Sequence, residues 1–92
     1  MLRFTECIAF RIPNNLNHYR LGITLKARGI SVERNRIKRQ IRESFRKQAQ
    51  ALGNFDYNVV VPVYKKLDYL FSRRLGKTLR SGLKNVFGDQ SD

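Results

Sequence analysis

The segment at residues 33–47 has the clearest structural pattern in the sequence: E-R-N-R-I-K-R-Q-I-R-E-S-F-R-K. Seven of its fifteen residues are Arg or Lys, yet the apolar residues Ile37, Ile41 and Phe45 stand at every fourth position. That spacing is typical of an amphipathic α-helix, because it places the apolar side chains along one edge. A disordered basic tail would not require apolar residues at this helical spacing. The stretch therefore predicts a folded helix that buries one edge and carries its charges on the remaining surface.

The charges of this helix gather on one side. With Arg34 at zero on a helical wheel, six basic or amide side chains fall within an arc of about 140°. They are Arg34, Lys38, Arg42, Asn35, Arg46 and Arg39, and we call them the basic arc. Arg36 extends it around the outer side. Like charges four residues apart, such as Lys38 and Arg42, repel each other, and a merely solvated helix face usually mixes signs. The arc therefore favours a polyanionic partner over simple solvation.

Length and charge narrow the class of protein. A chain of 92 residues suits one compact domain, and we expect residues 1–92 to form a single RNA-binding domain with a frayed tail at 88–92. The net charge of +12 favours nucleic acid as the partner, with an anionic membrane surface second. No apolar run approaches the ~18 residues that span a bilayer. The lone Cys7 fits a reducing cytoplasm, and with His18 it makes no metal set, so we expect no metal site.

Two alternating stretches predict strands before the helix. In residues 2–12, one face carries apolar side chains, namely Leu2, Phe4, Ile8, Phe10 and Ile12. In residues 20–26, the inward face carries Leu21, Ile23 and Leu25. Because a short turn-forming segment joins the two stretches, we expect an antiparallel hairpin.

Further elements follow from turn signals. Ser31 is the predicted N-cap of a helix over about residues 32–52, whose apolar stripe also takes in Ala49 and Leu52, and Gly53 is the predicted C-cap. Residues 57–61 predict a strand buried on both faces, ended by Pro62. A last helix over about residues 72–87 carries Leu75, Leu79, Leu83, Val86 and Phe87 on its apolar stripe. The order β-β-α-β-α predicts an α+β fold, a small two-layer αβ sandwich.

Residues 34–39 read R-N-R-I-K-R, and residues 42–46 read R-E-S-F-R. Together these segments resemble the signature of the bacterial ribonuclease P protein subunit. The segments R-L-G-I-T-L at 20–25 and D-Y-N-V-V-V at 56–61 are similar to that family's flanking strands. The resemblance implies a sandwich like a ribosomal-protein domain, with a left-handed β-α-β crossover against the right-handed default.

The resemblance also implies a function. The expected activity is removal of the 5′ leader from precursor tRNA, with the chemistry and its Mg²⁺ ions carried by a catalytic RNA subunit and none bound by the protein. The protein then has no catalytic residue of its own. The signature positions Arg34, Asn35, Arg36, Lys38, Arg39 and Arg42 are the expected contacts to that RNA, and Arg46 joins them through the basic arc.

Binding of the single-stranded leader is expected in the family's cleft between the sheet and an N-terminal helix. Because this chain starts only a few residues before its first strand, half of that cleft is expected to be absent. The leader-binding candidates are Phe4, Phe10, Arg11, Arg20, Lys26, Tyr64 and Lys65. The alternation favours core packing over base stacking for Phe4 and Phe10, while the basic residues on the strands fit phosphate contact and solvation equally well.

Two other functions fit the charge. A ribosome-associated or general structured-RNA binder without a processing role shares the predicted fold and the basic arc. A DNA-binding protein would lay the basic helix in a major groove, but the helix has strands on both sides instead of a helix-turn-helix partner.

Overall fold

The structure, a computed structural model, describes residues 2–87, apart from the side chains of Gln50, Ala51 and Phe87. The predicted frayed tail at 88–92 lies outside the described residues. The elements are β1 (Leu2–Arg3), β2 (Ile8–Pro13), β3 (Arg20–Leu25), α1 (Ser31–Arg46), α2 (Ala49–Leu52), β4 (Phe55–Val61) and α3 (Tyr69–Phe87). The α+β class is confirmed.

The strands form one sheet in the order β1-β2-β4-β3. The predicted hairpin of β2 with β3 is wrong, because β4 lies between them. β4 pairs antiparallel with β2, opposing Phe10 to Asn58, and parallel with β3, opposing Ile23 to Val59. The parallel pairing requires a crossover, which α1 and α2 provide. The apolar strand that comes last in the chain therefore takes a central position.

The helices cover one face of the sheet, and the other face is open. On β4, Tyr57, Val59 and Val61 are buried, whereas Asn58 is exposed. The prediction that this strand is buried on both faces is therefore wrong. The buried face packs with α1 and α3 into a single core. Pro62 ends the strand as predicted.

The predicted first strand is two strands with a turn between them. The amide of Phe4 donates to the carbonyl of Cys7 at 2.9 Å, which closes the turn. The turn changes the register, so that Ala9 opposes Leu2 and both lie on the helix-covered face. Cys7 and Ala9 are buried, while Phe10 is 46% exposed on the open face. The predicted inward position of Phe10, and that of Ile12, is therefore wrong.

The core edge of α1 is confirmed, since Ile37, Ile41 and Phe45 are all fully buried. The cap prediction is wrong, because Ile30 holds the N-cap position and Ser31 is already helical. The predicted single helix stops at Arg46 and resumes as α2. This break leaves Ala49 exposed, contrary to the predicted stripe.

Gly53 occupies the predicted C-cap position at the end of α2. Leu52 is fully buried, and the carbonyl of the same residue accepts a 2.7 Å hydrogen bond from the Tyr57 hydroxyl. Gly53 has φ 68°, which favours glycine. Its ψ of −151° lies outside the left-handed helical region that a C-cap glycine usually adopts.

α3 begins three residues earlier than predicted. Asp68 caps it, since its Oδ1 accepts the amide of Phe71 at 2.8 Å. Leu75, Leu79 and Leu83 are fully buried as predicted, but Val86 is 50% exposed. The side chain of Phe87 lies outside the described residues.

Candidate RNA-binding surface

The outer part of the basic arc lies open to solvent. Asn35, Arg39, Arg42 and Arg46 are exposed, and Lys38 is half-buried. Arg42 and Arg46 border a shallow depression of about 370 Å³ that Tyr19, Leu21 and Glu43 complete. The depression thus connects the basic arc on α1 with β3 and with the segment that leads into β3. A guanidinium here can bind a phosphate bidentately, and Tyr19 adds an aromatic side chain.

Arg34 differs from the rest of the arc because its guanidinium turns inward. Its Nη1 donates to the carbonyl of Ala27 at 2.9 Å, and its Nη2 lies 3.5 Å from the carbonyl of Leu25. These contacts tie the start of α1 to the end of β3. Arg34 therefore holds the backbone in place as well as adding positive charge to the arc.

Arg36 lies on the α3 side of the helix. Its Nη1 forms a 2.7 Å ion pair with Oε1 of Glu33, and its guanidinium carbon stands 5.3 Å from the ring centroid of Tyr69. Its RNA contact remains a prediction. The structure places this side chain between the two helices and apart from Arg42 and Arg46.

A second candidate surface is the open face of the sheet. Phe10 and Ile12 lie exposed on it and line a depression of about 240 Å³ together with Asn58. Lys26 is exposed just after β3, and its amide donates to the carbonyl of Val61 at 3.0 Å. An exposed aromatic ring can stack on an unpaired base, so the exposure of Phe10 removes the reason for assigning it to the core.

Arg20 also lies on the open face, where Asp56 holds it. Nε and Nη2 of Arg20 donate to the two carboxylate oxygens of Asp56 at 2.8 and 2.6 Å. The Asn14 amide adds a third hydrogen bond to Asp56, at 2.8 Å. The hydrogen bond from Arg20, followed by that from Asn14, lowers the pKa of Asp56 to about 2. Sequence reasoning missed this pair, because its members are 36 residues apart.

Other leader-binding candidates have partners within the protein. Phe4 is half-buried and packs against the core, as its alternation predicts. The guanidinium carbon of Arg11 lies 4.5 Å from the ring centroid of Phe55. Nζ of Lys65 pairs with Oε2 of the buried Glu6 at 3.2 Å.

Tyr64 is the most exposed aromatic residue among these candidates, at 79%. Nζ of Lys65 lies 5.5 Å from its ring centroid. The two faces of the sheet separate Phe4 from Phe10, so the structure does not bring all the candidates into one cleft.

The family follows from a match along nearly the whole chain. A model of the Ribonuclease P family matches residues 3–86. The chain belongs to the Ribonuclease P family. The ribonuclease P protein component of Stutzerimonas stutzeri is 46% identical over 66 residues, which are 70% of this chain and 49% of that protein. The component from Pasteurella multocida is 42% identical over 69 residues, which are 73% of this chain and 56% of that protein. The matched regions thus span about half the length of these relatives.

Solved structures of the family share the fold. The ribonuclease P protein of Thermotoga maritima has a TM-score of 0.69 and 27% identity, with 94% of this chain and 80% of that one covered. The protein of Staphylococcus aureus has a TM-score of 0.69 and 29% identity, with 88% and 74% covered. The α+β sandwich is therefore the fold of the Ribonuclease P family.

The described residues contain neither a metal-binding cluster nor a membrane-spanning helix. Between residues 2 and 87, no three His, Cys, Asp or Glu side chains come together as a possible metal site. No helix in that range combines the length and apolarity needed to cross a bilayer. Cys7 is 2% exposed, and burial, followed by the charge of Glu6, raises the pKa of its thiol to about 12.

Proposed function

We propose that this chain acts as the protein subunit of ribonuclease P. It binds the catalytic RNA subunit through the basic arc and assists removal of the 5′ leader from precursor tRNA. The observation that carries the proposal is the exposed arc on α1 in a chain that belongs to the Ribonuclease P family. The chemistry and its Mg²⁺ belong to the RNA in this proposal, and the complex works in the cytoplasm.

The packing of α1 supports a preorganised contact. Ile37, Ile41 and Phe45 fix one edge of the helix in the core, so the arginines opposite start from a rigid backbone. Phosphate contacts then position the protein on the RNA without reading its sequence. The hydrogen bond from Arg34 to Ala27 adds a further link between the first turn of the helix and the segment after β3.

The open sheet face is the proposed place for the leader. Phe10 offers a ring for base stacking, and Lys26 offers a charge for the backbone. Arg20 contributes less free charge, because Asp56 accepts hydrogen bonds from Nε and Nη2 of its guanidinium. Leader affinity is therefore expected to depend more on Phe10 than on Arg20.

RNA capture tests the proposed partner. Tagged protein is expressed in a bacterium, recovered with its bound RNA, and the RNA is sequenced. The proposal expects ribonuclease P RNA to be enriched over ribosomal RNA, and it expects Arg39→Gln to reduce that enrichment. Lys66→Gln is the control, because it removes one exposed charge outside the arc. Enrichment of ribosomal RNA alone would instead support the general structured-RNA binder.

A further inference from the structure

The exposed side of α3 is strongly positive. The helix contains five Arg or Lys residues and no Asp or Glu. Arg74 lies 3.6 Å from the carboxylate of Glu6. Arg73, Lys77 and Arg80 are exposed, and none of the three has an acidic partner within 4 Å among residues 2–87. Arg73 and Lys77 stand four residues apart on this helix, and like charges at that spacing are destabilising. A bound anion would offset this repulsion.

These cations converge on a depression between α1 and α3. The depression measures about 320 Å³ and is lined by Gln40, Arg73, Arg74, Lys77 and Arg80. Gly76 leaves space for two of these side chains, since a Cβ there would lie 2.5 Å from Oε1 of Gln40 and 3.2 Å from Nη1 of Arg80. The lining thus combines guanidinium, ammonium and amide donors, with no apolar side chain among them.

The depression lies on the opposite flank of α1 from the basic arc. On the helical wheel, Gln40 stands at about 240°, whereas the arc runs from zero to about 140°. Arg36 closes the same flank, stacked with Arg73 on the ring of Tyr69. A helix is about 10–12 Å wide with its side chains, so one extended strand cannot occupy both flanks at the same level.

We propose that Gln40, Arg73, Lys77 and Arg80 form a second phosphate site, which binds a strand of the RNA subunit different from the strand on the basic arc. This inference rests on the proposed function and extends it from one RNA contact to two, one on each flank of α1. The lining favours a phosphodiester backbone over a protein partner, because Arg and Lys bind phosphate strongly. Protein interfaces, by contrast, place aromatic and apolar side chains at their centre.

Salt titration tests the charge contact. Binding of ribonuclease P RNA is measured against salt concentration for the wild-type protein, Lys77→Gln and Lys66→Gln. The last variant is matched, since it also removes one exposed lysine. The log–log slope is expected to fall by about one unit in Lys77→Gln and to stay unchanged in Lys66→Gln. Equal slopes for all three proteins would overturn the inference.

Tethered cleavage tests whether a separate strand is bound. Iron–EDTA is attached to a cysteine introduced as Ser81→Cys, beside the second site, or as Glu43→Cys, beside the arc; both positions are exposed. The native Cys7 is buried and is not expected to be labelled. The inference predicts that the two proteins cut different strands of the RNA.

Two results would overturn the inference while leaving the proposed function standing. One is cleavage from Glu43→Cys with none from Ser81→Cys, and the other is cleavage of the same nucleotides by both. If the wild-type protein does not bind ribonuclease P RNA at all, the proposed function fails.

Discussion

Arg34 and Arg39 stand five residues apart in one basic helix, yet the structure assigns them different contributions to stability. The guanidinium of Arg34 donates to the carbonyl of Ala27 at 2.9 Å, whereas Arg39 is exposed. A hydrogen bond from a charged donor contributes ~1.5–3 kcal/mol, and the half-buried position of Arg34 favours about 2 kcal/mol. For a domain of this size that corresponds to a melting temperature lower by about 8–16 °C in Arg34→Ala. Arg39→Ala is expected to change the free energy of unfolding by no more than about 0.5 kcal/mol.

Thermal unfolding followed by circular dichroism measures both variants, and RNA binding is measured on the same samples. Arg34→Lys is the conservative control, because it keeps the charge but loses the planar fork, so its stability should lie between wild type and Arg34→Ala. Arg39→Ala should weaken RNA binding by about tenfold, or ~1.4 kcal/mol, without loss of stability. Equal melting temperatures for Arg34→Ala and Arg39→Ala would refute the inward role of Arg34.

Three further predictions concern the core, the thiol and the open face. Ile41→Ala should lower the free energy of unfolding by ~2–5 kcal/mol in urea titrations, because Ile41 is fully buried; a loss below 1 kcal/mol would contradict the packing. The pKa of the Cys7 thiol is 9.0 in the unfolded chain and is raised to about 12 in the folded protein. The thiol's contribution to the free energy of unfolding is therefore complete below pH 9 and falls above it. Relative to Cys7→Ala, the wild-type protein should lose about 1.4 kcal/mol per pH unit above pH 9, and parallel profiles would argue against a buried thiol. Phe10→Ala should leave stability nearly unchanged but weaken binding of a single-stranded leader by ~1–3 kcal/mol, and unchanged affinity would remove Phe10 from the leader site.

The parts of the fold that could be predicted depend on short-range periodicity. Ile37, Ile41 and Phe45 keep one helical register without interruption, so their burial follows from spacing alone. The first strand fails this condition, because the turn before Cys7 changes the register and moves Phe10 to the open face. A pattern of period two cannot reveal such a turn when apolar residues stand on both sides of it.

The site shows the same division between near and distant contacts. The exposure of Arg42 and Arg46 agrees with the wheel, which depends only on helical geometry. The position of Arg34 beside the apolar stripe follows from the wheel, but its hydrogen bond to Ala27 could not be predicted, since the acceptor is a backbone carbonyl that carries no sequence signal. The pairing of Arg20 with Asp56 requires knowledge that β3 lies parallel to β4, which depends on the whole topology.

Precursor-tRNA cleavage in a reconstituted system measures the proposed activity itself. A bacterial ribonuclease P RNA and a 5′-labelled precursor tRNA are incubated at low Mg²⁺ with no protein, with the wild-type protein or with Arg39→Gln, and the protein is also tested without RNA. With the proposed function, we expect faster leader removal with the wild-type protein, a smaller gain with Arg39→Gln at limiting protein, and no cleavage by protein alone. A cleavage rate that stays the same when the wild-type protein is added would contradict it.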